Sequence, residues 1–95
     1  MLIYSVRSGF DDGQTRRRYL DWLTQGHAQA VVEAGAQSAE IVSYDDGSVE
    51  TRYLFASREA FAAYEAGPAV ALRADGKARF PDVRSVRSVG EQISF

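Results

Sequence analysis

The chain has 95 residues, 45% hydrophobic and 25% charged, with a net charge of −2 and no cysteine. A chain of this size makes one domain and buries only about 60–65% of its unfolded surface, so added burial against a partner carries weight. The charge balance argues against a nucleic-acid binder that neutralises phosphates, and the missing cysteine excludes disulfides, thiol nucleophiles and thiolate metal sites.

The opening "MLIYSVRSGFDDG" has no basic leader and only a short apolar run, which reads as a strand rather than a signal peptide. No window approaches the roughly eighteen apolar residues of a membrane span. The expectation is a cytoplasmic protein, with residues 1–95 forming a single domain.

In chain order, "LIYSVR" (Leu2 to Arg7) is rich in β-branched and aromatic residues and reads as the first strand. A helix is expected from about Gln14 to Ala34, with Asp11 and Asp12 near its positive end and Gly35 as its C-cap. "AEIVSY" and "SVETRYLFA" flank the turn signal "DDG" and predict a hairpin. Ser57 suits the N-cap of a second helix over "REAFAAYEA". Gly67-Pro68 breaks that helix. "AVALRADGKARF" resumes as a further helical stretch, weakened by Gly76. After Pro81 and Asp82, "DVRSVRSVGEQISF" predicts the last strand.

The order β-α-β-β-α-β predicts an α+β, ferredoxin-like fold: a four-stranded antiparallel sheet with its helices on one face. The other face needs a cover. Strand one carries Leu2, Tyr4 and Val6 on one side and Ile3 on the other; strand three sets Val49, Tyr53 and Phe55 against Leu54. Strand two likewise divides into Ala39 and Ile41 against Val42 and Tyr44. Apolar residues on both sides of several strands predict a homodimer through apposed sheet faces, because a solvated face alternates more cleanly with polar residues.

The only tryptophan, Trp22, and the only histidine, His27, share the first helix. At about 100° per residue, His27 falls within the apolar stripe of Leu20, Leu23, Val31 and Ala34, and Trp22 lies ~130° from the stripe's centre. The two rings are therefore expected to be separate features, unless the helix is distorted, for example near Gly26. His27 is either a half-buried residue bonded to a backbone carbonyl or a tyrosine hydroxyl, or a proton acceptor or ligand contact in a pocket over the sheet. Trp22 is expected to pack against another helix or subunit. One histidine without an acidic cluster at ligand spacing predicts no metal site, and no cofactor motif is present.

"RRR" at Arg16 to Arg18 reads as a solvated helix start, since successive helical residues point apart. Asp11-Asp12 and Asp45-Asp46 read as helix-entry and turn residues. No nucleophile elbow occurs. Tyr53, Tyr64, Arg73 and Arg87, with His27, would suit a cleft for a small, flat, aromatic or anionic molecule. The structural alternative is tyrosines at the core's edge and arginines in ion pairs.

"YLDWL…H…V…AG" over Tyr19 to Gly35, then Tyr53, Phe61, Tyr64, "ALR" at Ala71 to Arg73, Phe80 to Asp82 and "VRSV" at Val86 to Val89 resemble a family of small uncharacterised bacterial proteins. That family belongs to the dimeric α/β-barrel, ferredoxin-like group. The resemblance spans nearly the whole chain and implies the fold and a dimer, but no activity. Many members carry "HAPALR" where this chain has "PAVALR", so Pro68 replaces a histidine and a two-histidine chemistry is not implied. The wider fold group includes cofactor-independent monooxygenases, haem-degrading enzymes and small isomerases, an analogy of fold alone.

Three functional readings follow. The first is binding of a small aromatic or anionic molecule in a helix–sheet cleft, with His27, Tyr53, Tyr64 and Arg73 as contacts. The second is a non-catalytic homodimeric protein-interaction module. The third is a cofactor-independent monooxygenase- or isomerase-like enzyme using His27. Neither nucleic acid nor membrane is an expected partner.

Overall fold

Side-chain alternation along four strands decides which face of the sheet carries the core. The computed structural model describes all 95 residues. In chain order the elements are β1 (Leu2–Gly9), α1 (Gly13–Trp22), a π-helical turn (Leu23–His27), α2 (Ala28–Glu33), β2 (Ser38–Ser43), β3 (Val49–Phe55), α3 (Arg58–Ala66), α4 (Pro68–Arg79) and β4 (Arg84–Glu91). The strands pair antiparallel in the order β2-β3-β1-β4, the ferredoxin-like arrangement expected from the sequence.

On β1, Leu2, Tyr4 and Ser8 are buried; on β3, Val49, Thr51, Tyr53 and Phe55 are. Ala28, Val31, Phe61, Tyr64 and Ala69 from the helices close the main core over this face. Asp12 caps α1 by accepting the Thr15 N–H at 2.7 Å, and Ser57 caps α3 as expected, accepting from Ala60 at 3.1 Å. Pro68 takes the first turn of α4, where its missing N–H costs nothing. The β2–β3 turn needs Gly47, whose φ is +90°. No helix is long and apolar enough to cross a membrane.

The open face is more polar than the sequence suggested. Leu2, Tyr4, Val6, Ala39, Ile41, Val49, Tyr53 and Phe55 belong to the helix-side core or pack against it. The register leaves Ile3, Val42, Leu54 and Val86 on the other side, and only Ile3 and Leu54 stand directly opposite one another. Between them runs a polar network. Glu50 accepts from Ser5 at 2.8 Å and from Tyr44 at 2.6 Å, and it pairs with Arg52 at 2.9 Å. These contacts, the Tyr44 hydroxyl foremost, hold the Glu50 carboxyl below its usual range.

Two arginines of the "RRR" run are not simply solvated. Arg16 reaches the hairpin, donating to the Gly47 carbonyl at 2.9 Å and to the Ser43 hydroxyl. Arg18 lies over the Phe80 ring, 5.5 Å from its centre. Helix α1 is thereby tied at its start to the β2–β3 turn.

Candidate functional site

The first helix does not run as one regular rod. The Ala28 N–H bonds to the Leu23 carbonyl five residues back, and Gly26 leaves helical dihedrals. Five regular α-helical steps would carry His27 about 140° round the axis from Trp22. A turn closed by an i→i+5 bond instead brings residue i+5 nearly back over residue i. The indole and imidazole therefore stack, centre to centre at 3.9 Å and 19° from parallel. The expectation of two separate features holds only for a regular helix, and the distortion near Gly26, named as its exception, is what the structure shows.

Below this stack lies a cleft between the helices and the sheet. Helix α4 turns Leu72, Arg73, Gly76 and Lys77 toward it, an arc of about 140°, and Phe80 follows at its C-cap. The cavity measures about 190 Å³, room for about six waters at ~30 Å³ each. Six aromatic rings line it: Tyr4, Tyr19, Trp22, Tyr53, Tyr64 and Phe80. His27, Arg73, Lys77 and Arg87 add the cationic or protonatable groups, and no carboxylate residue joins the lining. His27, Tyr53, Tyr64, Arg73 and Arg87, singled out from sequence, thus border one cavity.

Tyr4 is the junction. Its hydroxyl accepts from Arg87 Nε at 2.9 Å and from Arg73 Nη2 at 3.2 Å. Arg73 also pairs with Glu65 at 2.9 Å, and its buried Nε–H finds no acceptor. Burial pushes the Tyr53 and Tyr64 hydroxyls up, so both stay protonated at neutral pH. Burial pushes His27 below its ordinary 6.5, with Asp75 opposing. The imidazole makes neither the backbone-carbonyl bond nor the tyrosine bond anticipated for a structural histidine; its partner is the indole.

Trp22, His27, Leu72 and Phe80 also line a second, open groove of about 630 Å³ on the outer surface between the first helical segment and α4. The stack is thus part of the partition between cleft and exterior. Gly76 permits this position, because a Cβ there would lie 3.1 Å from Trp22 Cη2.

Sequence reasoning missed Tyr4, Tyr19 and Lys77 as lining residues. Tyr19 bonds Ser8 at 3.0 Å, and Ser8 bonds Ser85 at 2.8 Å, a hydroxyl chain spanning three elements that no local pattern announces. Gly76 did carry a signal: a glycine inside a helix marks close approach by a neighbour.

No family model matches the chain, and no curated protein matches its sequence. Solved structures do share the fold. One is a monooxygenase from the gene ActVA-Orf6 of Streptomyces coelicolor in complex with the ligand nanaomycin D, with a TM-score of 0.69 and 19% identity over 99% of this chain and 90% of that one. Another is Rv0793 from Mycobacterium tuberculosis, at 0.70 and 14% over 100% and 98%. A third is a dimeric ferredoxin-like protein from an uncultured marine organism, at 0.59 and 11% over 99% and 97%. At these identities the likeness is one of fold.

Proposed function

We propose that the protein binds a small, flat, aromatic molecule in the cleft between helices and sheet. The observation that carries this reading is the cavity itself: aromatic rings from β1, α1, β3 and α3 converge on one space that the core leaves open. Rings bind rings by offset or edge contacts at low entropic cost, and ligand sites combine such walls with a few polar groups. The similar fold of a monooxygenase in complex with nanaomycin D supports it. The test is a titration with 2-naphthamide followed by calorimetry and amide chemical shifts. Binding with shifts centred on Trp22, Leu72 and Tyr53, lost when Leu72→Trp fills the cleft, is expected. Absence of binding, or shifts confined to another surface, would overturn the reading.

A cofactor-free enzyme is the second reading, favoured by the state of His27. A neutral imidazole without a hydrogen-bond partner, lining a cavity, is free to take a proton from a bound ligand. Conversion of a bound phenol or enol by the wild type, lost in His27→Leu with binding retained, is the outcome that distinguishes catalysis from binding.

The proposal includes a second copy of the chain over the open sheet face. Nothing else in the fold covers that face, Ile3 and Leu54 pair on it, and Val86 is 69% exposed. The likeness to a dimeric ferredoxin-like protein supports the assembly.

A further inference from the structure

We infer that the cleft holds a subsite for one negatively charged group, formed by Arg73, Arg87 and the hydroxyl of Tyr4, which makes the ligand a flat aromatic oxyanion. The inference rests on the proposed aromatic cleft and specifies its occupant.

Two guanidinium groups converge on one neutral oxygen. Arg87 Nε stands 2.9 Å and Arg73 Nη2 3.2 Å from Tyr4 Oη. A phenol needs one donor to satisfy it, and two cations drawn to the same point repel each other. Charge compensation of the cleft's cations is incomplete. Arg73 has Glu65 as its one carboxylate partner, Arg87 and Lys77 have none, and the lining contains neither aspartate nor glutamate. The chain as a whole is acidic, at −2, so this cationic cavity does not follow from composition.

The donors are also incompletely used. Arg73 Nε–H is buried without an acceptor, and the Tyr4 hydroxyl, which accepts twice, donates to no protein group. Arg73 is held in place by Glu65 on one side and by the Tyr4 ring on the other, 5.7 Å from guanidinium carbon to ring centre. Its fork is therefore oriented before a ligand arrives, which reduces the entropy lost on binding. A carboxylate or aromatic oxyanion entering here would accept from both guanidiniums and from the Tyr4 O–H, and each of those bonds is charge-assisted. The rings of Tyr53 and Tyr64 flank Tyr4, at 5.9 and 6.4 Å between centres, and supply the apolar wall beside the charged point.

The test compares 2-naphthoate with its uncharged isostere 2-naphthamide by calorimetry at neutral pH. The carboxylate is expected to bind about tenfold tighter or better, the size of one charge-assisted contact. That advantage is expected to vanish in Arg87→Gln, an exposed position, with thermal melting as the check that the variant stays folded. It is expected to shrink in Arg73→Lys, which keeps charge but loses the fork, and to weaken with added salt. Equal binding of the two compounds would overturn the anion subsite and leave the aromatic cleft standing. A carboxylate preference unchanged in both variants would also overturn it, by placing the charge elsewhere. If neither compound binds, both the subsite and the cleft reading fall.

Discussion

The indole of Trp22 lies flat against the imidazole of His27, ring centres 3.9 Å apart, although a regular helix would point the two residues in different directions. The contact exists because one turn of the helix closes five residues back, and because α4 presents a glycine to the far edge of the indole.

Gly76→Ala sets two effects against each other. Alanine gains about 1 kcal/mol of helix propensity, while its Cβ at 3.1 Å obliges the indole to move a few tenths of an ångström. Global stability is expected to change by less than about 1 kcal/mol, yet the Trp22 emission spectrum should shift. A spectrum identical to wild type would show that Gly76 does not set the indole's position.

His27 makes stability depend on pH. Burial lowers its folded pKa below the ordinary 6.5, so the unfolded chain binds the proton more readily. The stabilisation is therefore fully present above 6.5 and is lost as pH falls from there through the folded pKa. Urea midpoints measured between about pH 5 and 8 should decline on the acid side in wild type, and that part of the decline should be missing in His27→Leu. At neutral pH His27→Leu is expected to cost less than about 1 kcal/mol, because no hydrogen bond is lost. A slope unchanged by the substitution would remove His27 as its source.

Tyr4→Phe keeps the buried ring and deletes the acceptor shared by Arg73 and Arg87. Arg87 is exposed and the Arg73 side chain is about a third exposed, so both can rehydrate in part, and the expected loss is about 1 kcal/mol rather than the full value of two charged hydrogen bonds. Denaturant unfolding gives the figure. A loss above about 3 kcal/mol would mean that the oxygen anchors the fold.

Leu54→Arg places a charge on the open sheet face, beside Ile3, without touching the helix-side core. Light scattering at micromolar concentration should give twice the 10.5 kDa chain mass for wild type and the single mass for the variant. A monomeric wild type would end the dimer proposal.

Much of the fold was legible because strand and helix patterns are local. Along β3, buried residues recur at every second position from Val49 to Phe55, as a strand with one covered face requires. Ser57 and the Gly67-Pro68 pair marked a helix start and a break for reasons confined to their own backbone. The open face was read less well. Two-sided apolar strands suggested a continuous apolar surface, but strand pairing assembled the larger residues on the helix side and set Glu50, Arg52 and Tyr44 into a polar network opposite.

By itself the sequence determined the order of elements, the buried face of each central strand, and the residue types available for a site. The tertiary structure decided which of them meet. Tyr4 and Arg87 are 83 positions apart, and Tyr4 and Arg73 69. They come together because β1 pairs with β4 and because α4 sets the Arg73 guanidinium over the Tyr4 ring. Trp22 and His27 are five positions apart and were equally hidden. The π turn rotates every residue after it relative to those before it, and short-range periodicity assumes that no such rotation occurs.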